Sequence, residues 1–130
     1  MPTQQINTLA SAQALSANWR NVGSEQSTEY KRSIGIWLDI DINDSVNVQI
    51  RALARYESGG SNYVLPIKAV TTTKITVQAE YTELANDADQ TMLIEIETNK
   101  TVPFIQLQAK AGTVGASAGT ITARSSVGRY

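Results

Sequence analysis

The stretch that decides the fold is SIGIWLDIDINDSVNVQIRALAR, residues 33–55. In its first half Ile34, Ile36, Leu38, Ile40 and Ile42 take every second position, with Gly35, Trp37, Asp39 and Asp41 between them. A helix would scatter five such residues around a cylinder; an extended chain puts all five on one face. The second half repeats the pattern, with Val46, Val48, Ile50, Ala52 and Ala54 pointing one way and Asn47, Gln49, Arg51 and Arg55 the other. Asn43-Asp44-Ser45 has turn chemistry, so the two runs read as an antiparallel hairpin.

Downstream, the same period continues. Glu57-Ser58-Gly59-Gly60-Ser61-Asn62 is a loop, because paired glycines supply positive φ without strain. A short strand is predicted at Tyr63–Ile67, with Pro66 favouring an edge or a strand end. Ile75, Val77, Ala79 and Tyr81 alternate with Lys74, Thr76, Gln78 and Glu80 as a half-buried strand. Glu83–Gln90 reads as a polar turn. Met92, Ile94 and Ile96 oppose Glu95 and Glu97 in the next strand, and Ile105, Leu107 and Ala109 oppose Gln106, Gln108 and Lys110 in the one after. Gly112–Gly119 is a small-residue loop, and Thr120–Arg124 a last short strand. Upstream, Leu9–Asn18 suits a strand or a short helix, since Ala, Gln and Leu favour helix while Thr and Ser do not.

Strands at this spacing, without a convincing helix, predict an all-β antiparallel sandwich of jelly-roll or immunoglobulin-like layout, with roughly seven to nine strands. One domain is expected: residues 1–30 as an amino-terminal arm or first strand, 31–124 as the sandwich, and 125–130 as a tail. Its 130 residues are enough to bury a core without staples.

Composition narrows the chemistry. There is no cysteine and no histidine, which removes disulfides, thiolate metal sites, the commonest general base and the commonest transition-metal ligand. Eleven Lys and Arg against twelve Asp and Glu give a net charge of −1, without a run of one sign. No nucleic-acid partner is expected from such a balance. The first twenty residues carry neither a basic leader nor an apolar core, and no stretch reaches the length of a membrane helix. Synthesis in a cytoplasm and no membrane partner are therefore the expectation.

Candidate sites weigh lightly. Asp39, Asp41 and Asp44 lack the ligand number and spacing calcium requires, so no metal site is expected. Glu95 and Glu97 share a strand face about 7 Å apart at the Cα atoms, without the apolar pocket that would raise one pKa above the other. Serine triads need a histidine the chain lacks. Gly112-Thr113-Val114-Gly115-Ala116-Ser117-Ala118-Gly119 lacks the Gly-Lys-Ser/Thr and the helix of a phosphate loop. No catalytic residue and no cofactor are expected. Trp19, Trp37, Tyr56, Tyr63 and Tyr130 are the aromatics a carbohydrate platform would draw on. Trp37, opposite the aliphatic stripe, has the residue type and position of an interface anchor.

Arg55-Tyr56-Glu57-Ser58-Gly59-Gly60-Ser61-Asn62-Tyr63-Val64-Leu65-Pro66 resembles the strand, Ser-Asp-Gly-Thr-Asn-Trp, strand, Leu-Pro hairpin of small β-sandwich virion structural proteins of tailed bacteriophages. Gly59 stands where that motif has Asp, and Tyr63 where it has Trp. Val102-Pro103-Phe104-Ile105-Gln106-Leu107-Gln108-Ala109-Lys110-Ala111-Gly112-Thr113-Val114-Gly115 is similar to their Pro-Tyr-Ile-Arg-Leu-Arg-Val-Thr-Ala-Gly strand, and Gly119–Ala123 to their last one. Trp19-Arg20-Asn21-Val22-Gly23 fits the layout loosely. The resemblance spans Ile34 to Ala123 with short, degenerate motifs. It implies a virion protein: head decoration or cement, or a neck or tail component, homo-oligomeric and partnered by the major capsid protein or other virion proteins. Trp19, Trp37, Tyr56 and Tyr130 are then the expected interface residues. The alternative is a carbohydrate-binding or adhesion module of a tail or neck device.

Overall fold

The computed structural model describes residues 5–28, 33–43, 46–65, 67–69, 75–77, 82–84, 90–97, 102–113 and 118–127. Twelve strand segments form: β1 (Gln5–Ala14), β2 (Arg20–Asn21), β3 (Gln26–Ser27), β4 (Ser33–Asn43), β5 (Val46–Arg55), β6 (Tyr63–Leu65), β7 (Ile67–Ala69), β8 (Ile75–Val77), β9 (Thr82–Leu84), β10 (Gln90–Glu97), β11 (Phe104–Thr113) and β12 (Ala118–Val127). One sheet has the order β1-β12-β4-β10-β7. The other runs β2-β11-β5-β9-β8, with β3 also paired to β11 and β6 also paired to β5. Every pairing is antiparallel. This is the all-β sandwich the alternation implies. The segments outnumber the long strands because the edges are broken into pieces of two or three residues.

The core lies between the sheets. Ile34, Ile36, Leu38 and Ile40 of β4, Ile94 and Ile96 of β10, and Ile121 and Ala123 of β12 line one wall. Val48, Ile50 and Ala52 of β5, with Ile105, Leu107, Ala109 and Ala111 of β11, line the other. Each of the larger aliphatics contributes about 1.5–3 kcal/mol relative to exposure.

The predicted β4–β5 hairpin does not form. β4 pairs with β12 and β10 in the first sheet, whereas β5 pairs with β11, β6 and β9 in the second. Both strands carry a full aliphatic stripe, and in a sandwich the two inner faces need one each. Alternation identifies the dry face of a strand; it does not say whether the next strand lies beside that face or across from it. The chain changes sheets again between β6 and β7, on either side of Pro66. The expected turn at Glu83–Gln90 is also shorter, because Glu83 and Leu84 belong to β9, which pairs with β5 and β8; positions 85–89 lie outside the described residues. At the amino terminus β1 pairs along β12, with register shifts between Thr8 and Ala10 and between Ala10 and Gln13. The last strand, β12, runs from Ala118 to Val127, longer than the expected Thr120–Arg124.

A corner joins the sheets at one edge. Leu15 N–H donates to Gly119 O at 2.8 Å and Ala111 N–H donates to Ser16 O at 2.8 Å, so consecutive residues bond to opposite sheets. The Gln13 amide donates to Asn21 O at 2.6 Å and its carbonyl oxygen accepts from Gly23 N–H at 3.3 Å. Leu15 and Val22 from this corner enter the core.

Candidate interaction surfaces

Among the described residues four large hydrophobic side chains are exposed: Trp37 at 48%, Tyr56 at 63%, Tyr63 at 57% and Val64 at 43%. They fall in two places. Trp37 lies on the outer face of the first sheet because β4 points its aliphatics inward. Its cross-strand neighbours are Leu93 on β10 and Arg124 on β12. Arg124 forms an exposed ion pair with Asp39 at 3.3 Å. The outcome is an outer sheet face with an exposed indole on its central strand and a paired charge beside it.

The second place is the β5–β6 hairpin. Tyr56 follows β5, Tyr63 opens β6, and their ring centroids stand 6.4 Å apart at 48°. Beneath them Arg55 and Glu25 form an ion pair at 2.8 Å, each largely shielded from solvent. Glu25 spans β11 to reach Arg55 on β5, and the same carboxylate oxygen accepts from Gly59 N–H at 2.9 Å. Arg55 Nε donates to Asn62 Oδ1 at 2.8 Å. Gly59 N–H and then Arg55 hold the Glu25 carboxyl below its ordinary pKa. Leu53 and Gln106 face each other across strands on this outer surface, and both are buried, so it is partly dry. The Gln106 amide is satisfied by Gly23 O at 3.2 Å and Leu107 O at 2.9 Å, as a buried amide must be.

Trp19 occupies a third setting. The Arg51 guanidinium lies 4.2 Å and the Lys110 ammonium 5.0 Å from the centre of its rings. Arg51 Nε and Nη2 both donate to Gln108 Oε1, at 2.9 and 2.7 Å, and Gln108 Nε2 donates to Asn21 Oδ1 at 2.9 Å. This network ties β2 to β11 and β5, with cation–π contacts of the order of 0.5–1 kcal/mol each. An open cleft of about 660 Å³, lined by residues including Gln13, Leu15, Trp19 and Arg20, adjoins it.

Of the five sequence-selected aromatics the structure brings only Tyr56 and Tyr63 together among the described residues. Trp37 is on one sheet, Trp19 and Tyr56 belong to the other, and Tyr130 lies outside the described residues. Asp39 and Asp41 are exposed, and Asp44 lies outside the described residues. Among the described residues no three carboxylates gather at metal-ligand distances. The Gly112–Gly119 segment divides between the end of β11 and the start of β12, with positions 114–117 outside the described residues. Sequence reasoning missed the Glu25–Arg55 lock, since nothing in the local pattern of either residue announces a partner thirty positions away. It also left Tyr63 and Val64 out of the interface set; two tyrosines flanking a Gly-Gly loop were the available signal.

Two antiparallel sheets around one shared core define a β-sandwich, with an exposed indole on the outer face of one sheet and a braced hairpin tip on the other. No family model matches the chain, and no curated protein does. Among solved structures it is similar to the SPBc2 prophage-derived protein YomS, with a TM-score of 0.62 over 99% of this chain and 96% of that one, at 13% sequence identity. That likeness bears out the β-sandwich fold. Among the described residues no helix is long and apolar enough to cross a membrane.

Proposed function

We propose that the chain is a structural protein of a bacteriophage particle, more particularly a decoration or cement protein that stabilises a capsid by protein–protein contact and performs no catalysis. The observation that carries this reading is the full-length likeness to a prophage-derived protein, in line with the resemblance of the 55–66 and 102–115 segments to virion sandwiches. Trp37 supplies the mechanism. A half-exposed indole on an outer sheet face is costly to leave in water and well suited to anchor a partner. Leu93 extends the apolar contact, and the exposed Asp39–Arg124 pair sits where an interface rim would be polar. On a particle many copies act at once, so a weak single contact suffices, with avidity adding on the order of 10²–10⁴-fold.

Removal and replacement of the chain in a particle-forming phage is the direct test. Purified particles should carry the protein in a fixed ratio to the major capsid protein, and electron microscopy should place it over seams between capsid subunits. Trp37→Ala should fold normally yet fail to attach. Particles that assemble with none of the protein bound, or a Trp37→Ala variant that attaches as the wild type does, would overturn the reading.

A further inference from the structure

Three of the four exposed large hydrophobics among the described residues, Tyr56, Tyr63 and Val64, belong to the β5–β6 hairpin, on the sheet that does not carry Trp37. We propose that the exposed faces of the packed Tyr56–Tyr63 ring pair bind a neutral saccharide, one or two pyranose units at a time. This does not depend on the particle reading, since it concerns a different surface.

Size is the first argument. Two half-exposed tyrosines and a valine offer roughly 300 Å² of contact, against the ~800 Å² per partner of a stable protein interface. A protein would find the patch too small; a sugar ring would cover it. Charge is the second. Glu25 and Arg55 neutralise one another below the tip, while the exposed Glu57 carboxylate repels an acidic ligand. That leaves a neutral partner. The third is chemical match. A pyranose has a C–H face that lies on an aromatic ring and a rim of hydroxyls. The tyrosine rings and hydroxyls answer both needs. Asn62 gives its carbonyl oxygen to Arg55, which leaves its NH₂ as a donor, and the Ser61 hydroxyl is exposed beside it.

The tip is also set before any ligand arrives. Gly60 N–H donates to Glu57 O at 3.0 Å to close the turn, Glu25 holds Gly59, and Arg55 holds Asn62. The loop between the two tyrosines therefore loses little freedom on binding, which favours a small ligand with little binding energy to spend on ordering. Glu25 is a positioning residue here, acting through the loop.

The experiment is a nitrogen-15 NMR titration of the full chain with maltohexaose, cellohexaose and chitohexaose, each taken into the millimolar range. Saturable shifts confined to the hairpin at residues 55–64 are expected with at least one of the three. Tyr56→Ala and Tyr63→Ala should each weaken binding about tenfold, while Tyr56→Phe and Tyr63→Phe, which keep the ring, should retain most of it. Glu25→Gln should weaken binding less than either alanine. Both tyrosines are exposed, so the alanine variants should keep the wild-type spectrum elsewhere. Trp37→Ala should leave the titration unchanged. The proposal is overturned if none of the three sugars gives saturable shifts, if the shifts survive the double Tyr56→Ala/Tyr63→Ala variant, or if Trp37→Ala abolishes them as well.

Discussion

Gly23 turns at a φ of 72° inside the corner that closes the sandwich, and a Cβ added there would stand 2.3 Å from Leu9 O and 2.7 Å from Leu9 C. Those are backbone atoms of β1, so no rotamer change relieves the clash. Gly23→Ala should cost more than about 2 kcal/mol, combining the left-handed penalty with displacement of the strand, read as a fall in the urea midpoint. Ala12 is the converse: a non-glycine residue at a φ of 48° within the bulged part of β1. Ala12→Gly should raise stability by roughly 0.5 kcal/mol, the relieved strain outweighing the extra freedom glycine gives the unfolded chain. Glu25 makes stability depend on pH. The Gly59 N–H and the Arg55 guanidinium favour its charged form, so its pKa in the folded chain lies below the unfolded value. Its contribution is complete above the ordinary glutamate pKa of about 4.3 and is lost as pH falls through the lowered folded value. The stability gap between wild type and Glu25→Gln should therefore narrow on going from neutral pH to below about pH 4, measured by urea unfolding at each pH; a gap that stays constant would remove the ion pair from the account.

At the scale of the strand, neighbouring residues should answer opposite questions. Ile36 is fully buried between the sheets and Trp37 is half exposed. Ile36→Ala should cost about 2–5 kcal/mol and Trp37→Ala less than about 1 kcal/mol, both from equilibrium unfolding. Equal costs would mean that β4 is not two-sided. This two-sidedness was legible in the sequence, because every inward position from Ile34 to Ile40 is a branched aliphatic and the period of a strand is two. Strand partnership was not. Ile34–Ile42 and Val46–Ala54 carry the same pattern whether they pair edge to edge or face each other across a core, and the choice is made by β11 and β12, about fifty residues or more away. Leu53 and Gln106 were hidden for a related reason. Alternation puts them on the outer face; the neighbours beside them there, Val64 of β6 across from Leu53 and the Gly23 carbonyl that accepts from Gln106, are tertiary. The two exposed sites divide along the same line. Trp37 could be placed from its own strand, whereas the braced hairpin tip carrying Tyr56 and Tyr63 required Glu25.

Across the whole molecule, the chain closes on itself: β1 near the amino terminus pairs with β12 near the other end, from Gln5 opposite Val127 to Ala14 opposite Thr120. β12 is thereby an interior strand, held by β1 on one side and β4 on the other. β1 itself is an edge, but its two register shifts and the turn at Ala12 disrupt the straight row of donors and acceptors that another chain would need for pairing. Deleting residues 1–16 would move the edge to β12, a long strand whose pairing along β4 is regular over most of its length. It would also strip Ala10 and Leu15 from the core. The truncated chain should lose several kcal/mol, by the scale of lost core side chains, and associate in a concentration-dependent way through the exposed strand. Light scattering coupled to size exclusion would read the association. A synthetic peptide of residues 5–16 supplied in trans should pair with β12, return the truncated chain to the association state of the full chain and raise its urea midpoint. A truncated chain that associates no more than the full one and is as stable would mean that β1 neither guards the edge of β12 nor completes the core.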